Sequence, residues 1–273
     1  MKFKNKNGLY IPKHYMRCMG IEDTFPSPRS NVTAIRKGVK SPSGGGGPTS
    51  WGDGSEPSSG GTFSHVAGSP AWGYGTAGAT STTTDISCVL QIVAGDTLVA
   101  WYSWEDGDSG VLTGKDTVGN NTFTWEAART SSVGSWGCFG YVLSATAQAD
   151  AKIIVTHGAI SIPYRGLIVY QFRKSAGTVA RDTANTGTGS STSMLSGNIT
   201  AIAGVAICGA TNYSGTNFSA ELIGDAAVDG HYELFDTNLV GAWYKLGVSG
   251  SIHGQATGAN DAWVCNIINF KAT

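Results

Sequence analysis

Charge is scarce in this chain: Asp, Glu, Lys and Arg together make up 14% of its 273 residues. Long apolar runs are missing too. None approaches the ~18 residues of a membrane-spanning helix, so no membrane partner is expected. The five cysteines, Cys18, Cys88, Cys138, Cys208 and Cys265, come no closer to one another than 50 residues. That spacing excludes a zinc knuckle or a paired-cysteine redox motif. Four of them lie in the apolar runs SCVLQIV, GCFGYVL, GVAICGA and WVCNIINF, the setting of small buried hydrophobes kept reduced in a cytosol. The opening MKFKNKNGLYIPKHY is basic but leads into no apolar core of a signal peptide, so export through a secretory leader is not expected.

Signatures of catalysis are equally absent, and the expectation is a protein that is not an enzyme and needs no cofactor. No serine stands in a G-x-S-x-G elbow and no H-E-x-x-H occurs. The histidines at 14, 65, 157, 231 and 253 are scattered and read as surface or internally satisfied groups. Gly73 to Gly78 spells the dinucleotide fingerprint G-x-G-x-x-G, but SPAW precedes it and ATSTTT follows. Without a strand before and a helix after, no backbone N–H groups would be aimed at a pyrophosphate.

What is present is glycine, 39 residues of it, with serine and threonine throughout and 41% hydrophobic residues. Glycine costs about 1 kcal/mol against alanine inside a helix, so this composition favours short strands and tight turns. The hydrophobic content is enough for a real core. Strand patterns fall near 85–93, 96–104, 122–128, 136–145, 151–157, 166–174, 193–200, 203–211, 217–224, 230–236, 241–248, 250–257 and 262–271. Turn pairs such as Gly95-Asp96, Gly119-Asn120 and Asp229-Gly230 separate them. Many short strands at close spacing predict a sandwich or a barrel.

The organisation is tripartite: an extended arm over 1–40, a Gly/Ser/Pro-rich linker over 41–84, and an all-β domain over 85–273. Between Met1 and Lys40 nine basic residues face two acidic ones, a charge of +7; the remainder carries nine basic and 17 acidic residues, −8. A cationic arm on an acidic body suits contact with something negative. Its aliphatic and aromatic residues make it too apolar for an ordinary solvated tail, so it is expected to order on a partner. The arm residues expected to touch partner subunits are Lys2, Lys4, Lys6, Tyr10, Arg17, Phe25, Arg36 and Lys37. Nucleic acid is not the expected partner, because the arm lacks the regular aromatic interleaving of a single-strand binder.

Two further features could bear a ligand. Trp101, Tyr102 and Trp104 crowd one strand, and the two-residue period puts Tyr102 and Trp104 on one face and Trp101 on the other. Packing is the preferred reading, with Tyr102 and Trp104 as an alternative platform for sugar rings. Glu105, Asp106 and Asp108 set three carboxylates in one turn, a calcium candidate set against a plain solvated hairpin, which is preferred. No metal is expected.

The succession GDTLVAWYSW, DTVGNNTFTW, YVLSATAQADAKIIVTHG, GLIVYQFRK, TGTGSSTSMLSGNIT and WVCNIINFKA resembles the jelly-roll modules of tailed-bacteriophage virion proteins and of modular bacterial surface proteins. The likeness is one of pattern over about residues 85–273. The basic arm and the glycine-rich linker resemble the phage version. The resemblance implies a jelly-roll-like two-sheet β-sandwich with an extended N-terminal arm, and a non-enzymatic virion structural protein peripheral to the main shell. Such a protein would be made in the host cytoplasm and join the virion as a capsid decoration, fibre or tail-attached part. Its partners would be other virion proteins and further copies of itself in a homo-oligomer. The alternative is a carbohydrate- or receptor-binding module of a tail fibre or bacterial surface protein, with a host-surface glycan as ligand.

Overall fold

The computed structural model describes residues 3–4, 10–11, 62–67, 69–75, 84–86, 90–105, 112–132, 134–157, 165–213, 217–235 and 239–273. The chain divides into two units, Met1–Arg36 and Lys37–Thr273. In the first, Phe3–Lys4 (β1) and Tyr10–Ile11 (β2) pair antiparallel, with Lys4 opposite Tyr10.

Every described element of the second unit is a strand. In chain order come Phe63–His65 (β3), Ala71–Gly75 (β4), Thr84–Ile86 (β5), Leu90–Ile92 (β6), Thr97–Glu105 (β7), Leu112–Asp116 (β8) and Thr124–Trp125 (β9). Arg129–Thr130 (β10), Ser135–Val142 (β11), Gln148–Ala151 (β12), Ile153–His157 (β13), Arg165–Lys174 (β14) and Val179–Leu195 (β15) follow. The last are Ile199–Asn212 (β16), Ser219–Ile223 (β17), Ala226–Ala227 (β18), Gly230–Phe235 (β19), Leu239–Ile252 (β20) and Gly254–Ala272 (β21). The expected all-β class and sandwich construction are both present.

Two large antiparallel sheets organise this unit. The first runs β10-β11-β7-β14-β3, with β4 also on β14 and β9 on β11. The second runs β18-β17-β21-β16-β20-β19, with β15 on β21. The smaller sheets β12-β6 and β5-β13-β8 complete the fold.

Strand β7, TLVAWYSWE, shows why the first sheet sits inside. All nine of its residues are buried. Val99 and Trp101 join Ile168, Tyr170 and Phe172 of β14 in a core shared with Val205, Ile207, Val264, Ile268 and Phe270 of the second sheet. Leu98, Ala100, Tyr102 and Trp104 point the other way, into a core with Leu90, Ile92, Ile153 and Val155 of the small sheets. A strand buried on both faces must be apolar at successive positions, which is how this segment reads.

The second sheet is also apolar on both faces. Ala206, Cys208, Ala210, Trp243, Cys265 and Ile267 face away from the shared core, and the sheet curls so that Met194, Ile199, Phe218, Ile223 and Ile252 cover them. Trp101 joins the two sheets. Its indole Nε1 donates to the Ala210 carbonyl at 3.2 Å. A Cβ added at Gly137 or at Gly209 would lie about 2.4 or 2.3 Å from the indole ring, so the ring needs glycine on both sides. The Tyr170 hydroxyl adds a second tie, donating to the Ala242 carbonyl at 2.6 Å.

Several boundaries differ from the sequence reading. Residues 62–75, placed there in the linker, contain β3 and β4, which pair along β14, and Phe63 and Ala71 are buried. The glycines and serines around them hid two short edge segments. The strand expected near 193–200 covers only the last three residues of β15, and the rest escapes the sequence reading for the same reason, since VARDTANTGTGSSTSML has the composition of a loop. Cys138, Cys208 and Cys265 are buried free thiols, as expected of core cysteines, and burial pushes Cys138 and Cys208 far up, so both stay protonated and inert.

Candidate functional site

The residues singled out from sequence do not form one site. Of the arm residues, Lys4 and Tyr10 lie in β1 and β2, while Lys2, Lys6, Arg17, Phe25, Arg36 and Lys37 fall outside the described residues. Tyr102 and Trp104 are 0% and 2% exposed. Their rings lie 5.3 Å apart, Trp104 stacks on Trp136, and Tyr102 meets Trp125 edge-on. The sugar-platform reading is therefore corrected: these faces are taken by the small sheets and by neighbouring tryptophans. Glu105 is buried opposite Ser135 at the end of β7, whereas Asp106 and Asp108 lie outside the described residues.

Other carboxylates prominent in sequence are structural. Asp96, the second residue of GDTLVAWYSW, is buried and receives both arms of the Arg173 guanidinium, at 2.8 and 2.9 Å. Gln171 Nε2 also donates to it, at 2.5 Å. Asp116, which opens DTVGNNTFTW, accepts backbone N–H groups of Val118, Gly119, Asn120 and Asn121 and so folds the turn over itself. Both are carboxylates satisfied by donors, the condition for burying a charge.

One cluster was not anticipated. Glu221 on β17 and His231 and Glu233 on β19 bring their ligand-type atoms within 4.8 Å of one another. His231 and Glu233 share a face because they are two residues apart on a strand. Glu221 comes from β17, which pairs with β21 and not with β19. His231 Nδ1 lies 3.4 Å from Glu221 Oε1, and His231 Nε2 lies 3.4 Å from Glu233 Oε1. The three side chains are 7%, 14% and 15% exposed, in the order His231, Glu221, Glu233.

Backbone contacts hold the cluster in place. The Phe218 N–H, just ahead of β17, donates to Glu233 Oε1 at 2.9 Å. The Trp243 indole of β20 donates to the Leu222 carbonyl of β17 at 3.4 Å, and Trp243 is the cross-strand neighbour of His231. Burial works against the imidazolium, but the Glu221 and Glu233 carboxylates outweigh it and push His231 up to about 9. Two carboxylates around one imidazole can hold a proton on the ring or coordinate a divalent cation. Sequence reasoning passed over them because Glu221 and His231 are ten positions apart. The signal that was available is the His231-Tyr232-Glu233 alternation inside an expected strand.

No family model, curated protein or solved structure matches the chain.

Proposed function

We propose that this protein is a non-enzymatic structural component of a bacteriophage virion, peripheral to the main shell and attached through its basic N-terminal arm. The observation that carries this reading is the separation of charge along the chain. Residues 1–40 hold +7 and the rest holds −8, in a chain whose charged residues are otherwise few. Like charge concentrated in a segment and opposite charge in the body steer association with a neighbouring surface. The body has the build of a passive part. Among the described residues, the hydrophobic groups are invested in three cores, and exposed large apolar residues such as Val93, Val118 and Ile202 are few and scattered through the sequence.

In this reading the arm orders on subunits of the particle, and repetition over symmetric positions strengthens a contact that is weak singly. The test is removal of residues 1–40. The truncated chain is expected to keep the β-sheet circular dichroism and unfolding midpoint of the full protein, and to be missing from assembled particles. Incorporation at the full-length level would overturn the proposal.

A further inference from the structure

We propose that Glu221, His231 and Glu233 bind a divalent transition-metal ion, zinc being the natural probe, which clasps β17 to β19. The inference stands on the cluster itself and does not depend on the virion reading.

Three observations carry it. The first is the donor set. Imidazole with carboxylate oxygens suits zinc and its first-row neighbours, and three protein ligands are what a four-coordinate zinc with one open position requires. The second is spacing. The two nitrogen–oxygen separations are both 3.4 Å, longer than the 2.7–3.2 Å of ordinary N–H···O hydrogen bonds. They start from different ring nitrogens, Nδ1 towards Glu221 and Nε2 towards Glu233, so one of them is a co-ligand spacing for an ion held at about 2.1 Å, and the third ligand is within reach because one donor atom from each residue lies within 4.8 Å of the others. The third is His231 itself. Its side chain is 93% buried, taking the complement of its 7% exposure, and Nε2 makes no hydrogen bond although it is turned towards Glu233.

Charge favours the same occupant. Two carboxylates and a neutral imidazole sum to −2, which a divalent cation cancels and a proton on the ring only halves. The location gives the ion a mechanical role. Strand β17 pairs with β21 on the edge where β16 pairs farther along, whereas β19 pairs with β20, so β17 and β19 share no ladder. Outside this cluster, the described links from the β17 side to β20 include the hydrogen bonds of Trp243 to Leu222 and Lys245 to Ala227 and the edge-on packing of Phe218 on Trp243. An ion bonded to both strands would tie two ladders together, and its binding energy would add to the stability of the fold.

The experiment uses the full chain, freed of metal by a chelator and titrated with zinc at pH 8 in a calorimeter, with thermal unfolding followed in parallel. One zinc per chain and a raised unfolding midpoint, reversed by added chelator, are expected, with no comparable rise for calcium or magnesium. Cobalt(II) should give visible absorption bands of a tetrahedral site. The near-isosteric Glu221→Gln and Glu233→Gln variants should each weaken zinc binding by about tenfold or more. Failure of the unaltered protein to bind zinc would show a protonated imidazole clasp and overturn the proposal. So would zinc binding that both variants retain undiminished, because the ion would then sit elsewhere. A rise with calcium equal to that with zinc would overturn the assignment to a transition metal.

Discussion

Strands β7 and β15 reach the same backbone conformation from opposite kinds of sequence. In β7 nine successive residues are buried, and Leu98 to Tyr102 and Trp104 meet a core above or below the sheet. In β15 only Met194 of seventeen residues is buried, and threonine, serine, glycine and asparagine fill most of the rest. Yet β15 is paired with β21 from Val179 opposite Ala272 to Leu195 opposite Gln255. The first strand is held by what its side chains bury. The second is held by its ladder and by polar side chains that reach neighbouring backbone: Asp182 to the Ile202 N–H and Asn185 to the Asn198 carbonyl. Stability should accordingly be concentrated in one strand and spread thinly in the other.

The largest effect is expected at Trp101. Replacing it with alanine removes a fully buried indole, its hydrogen bond to Ala210 and the group that fills the space between Gly137 and Gly209. Large aromatic-to-alanine changes in cores cost about 3–5 kcal/mol, a large share of a domain's stability. Urea unfolding of Trp101→Ala should show that loss as a lower midpoint. A loss under about 1 kcal/mol would mean that the two sheets are joined by something other than this contact.

The same contrast explains what could be read in advance. Strand β7 was legible because burial on both faces leaves a mark in the residues themselves, the apolar and aromatic run LVAWY with a further tryptophan two positions on. Strand β15 was not, because an edge strand made by pairing leaves its mark in the partner; WVCNIINF of β21 was recognised while the segment beside it passed for a loop. Phe63 and Ala71 were lost in the same way among glycines and serines. For the candidate site, ten positions separate Glu221 from His231, and the strands that carry them belong to different ladders. The sandwich was therefore readable from composition and period, whereas a site assembled between ladders was not.

A smaller effect, of a different kind, is expected at Asp182 on β15. Burial raises this carboxyl, but Lys271 at 2.9 Å, the Ile202 N–H and Asn269 together outweigh it and hold it below the ordinary value of 3.8. A folded value below the unfolded one contributes stability that is complete above the unfolded value and is lost as pH falls through the folded one. Asp182→Asn should thus cost about 1 kcal/mol at neutral pH. The gap between the two proteins should stay constant down to about pH 4 and close below it. The deficit of Trp101→Ala has no such dependence on the carboxyl. Parallel pH profiles for wild type and Asp182→Asn would show that the ion pair contributes nothing, leaving β15 dependent on its ladder.

The smallest effect sharpens that last distinction. Thr188 lies mid-way along β15, exposed, opposite Val264 of β21. Its alanine variant keeps every backbone donor and acceptor in the ladder and removes only atoms that face water, so stability should change by no more than about 0.5 kcal/mol. Proline at the same position would differ, because it deletes a backbone N–H and constrains φ. If Thr188→Ala costs more than about 1 kcal/mol, then threonine's preference for the extended conformation is part of what keeps this polar strand in place. If it costs nothing while the proline variant unfolds β15 from its edge, then backbone pairing with β21 is sufficient. In that case the residues of β15 are constrained by what they must leave unobstructed, and almost any small polar type would serve. That is why the segment carries so little readable signal.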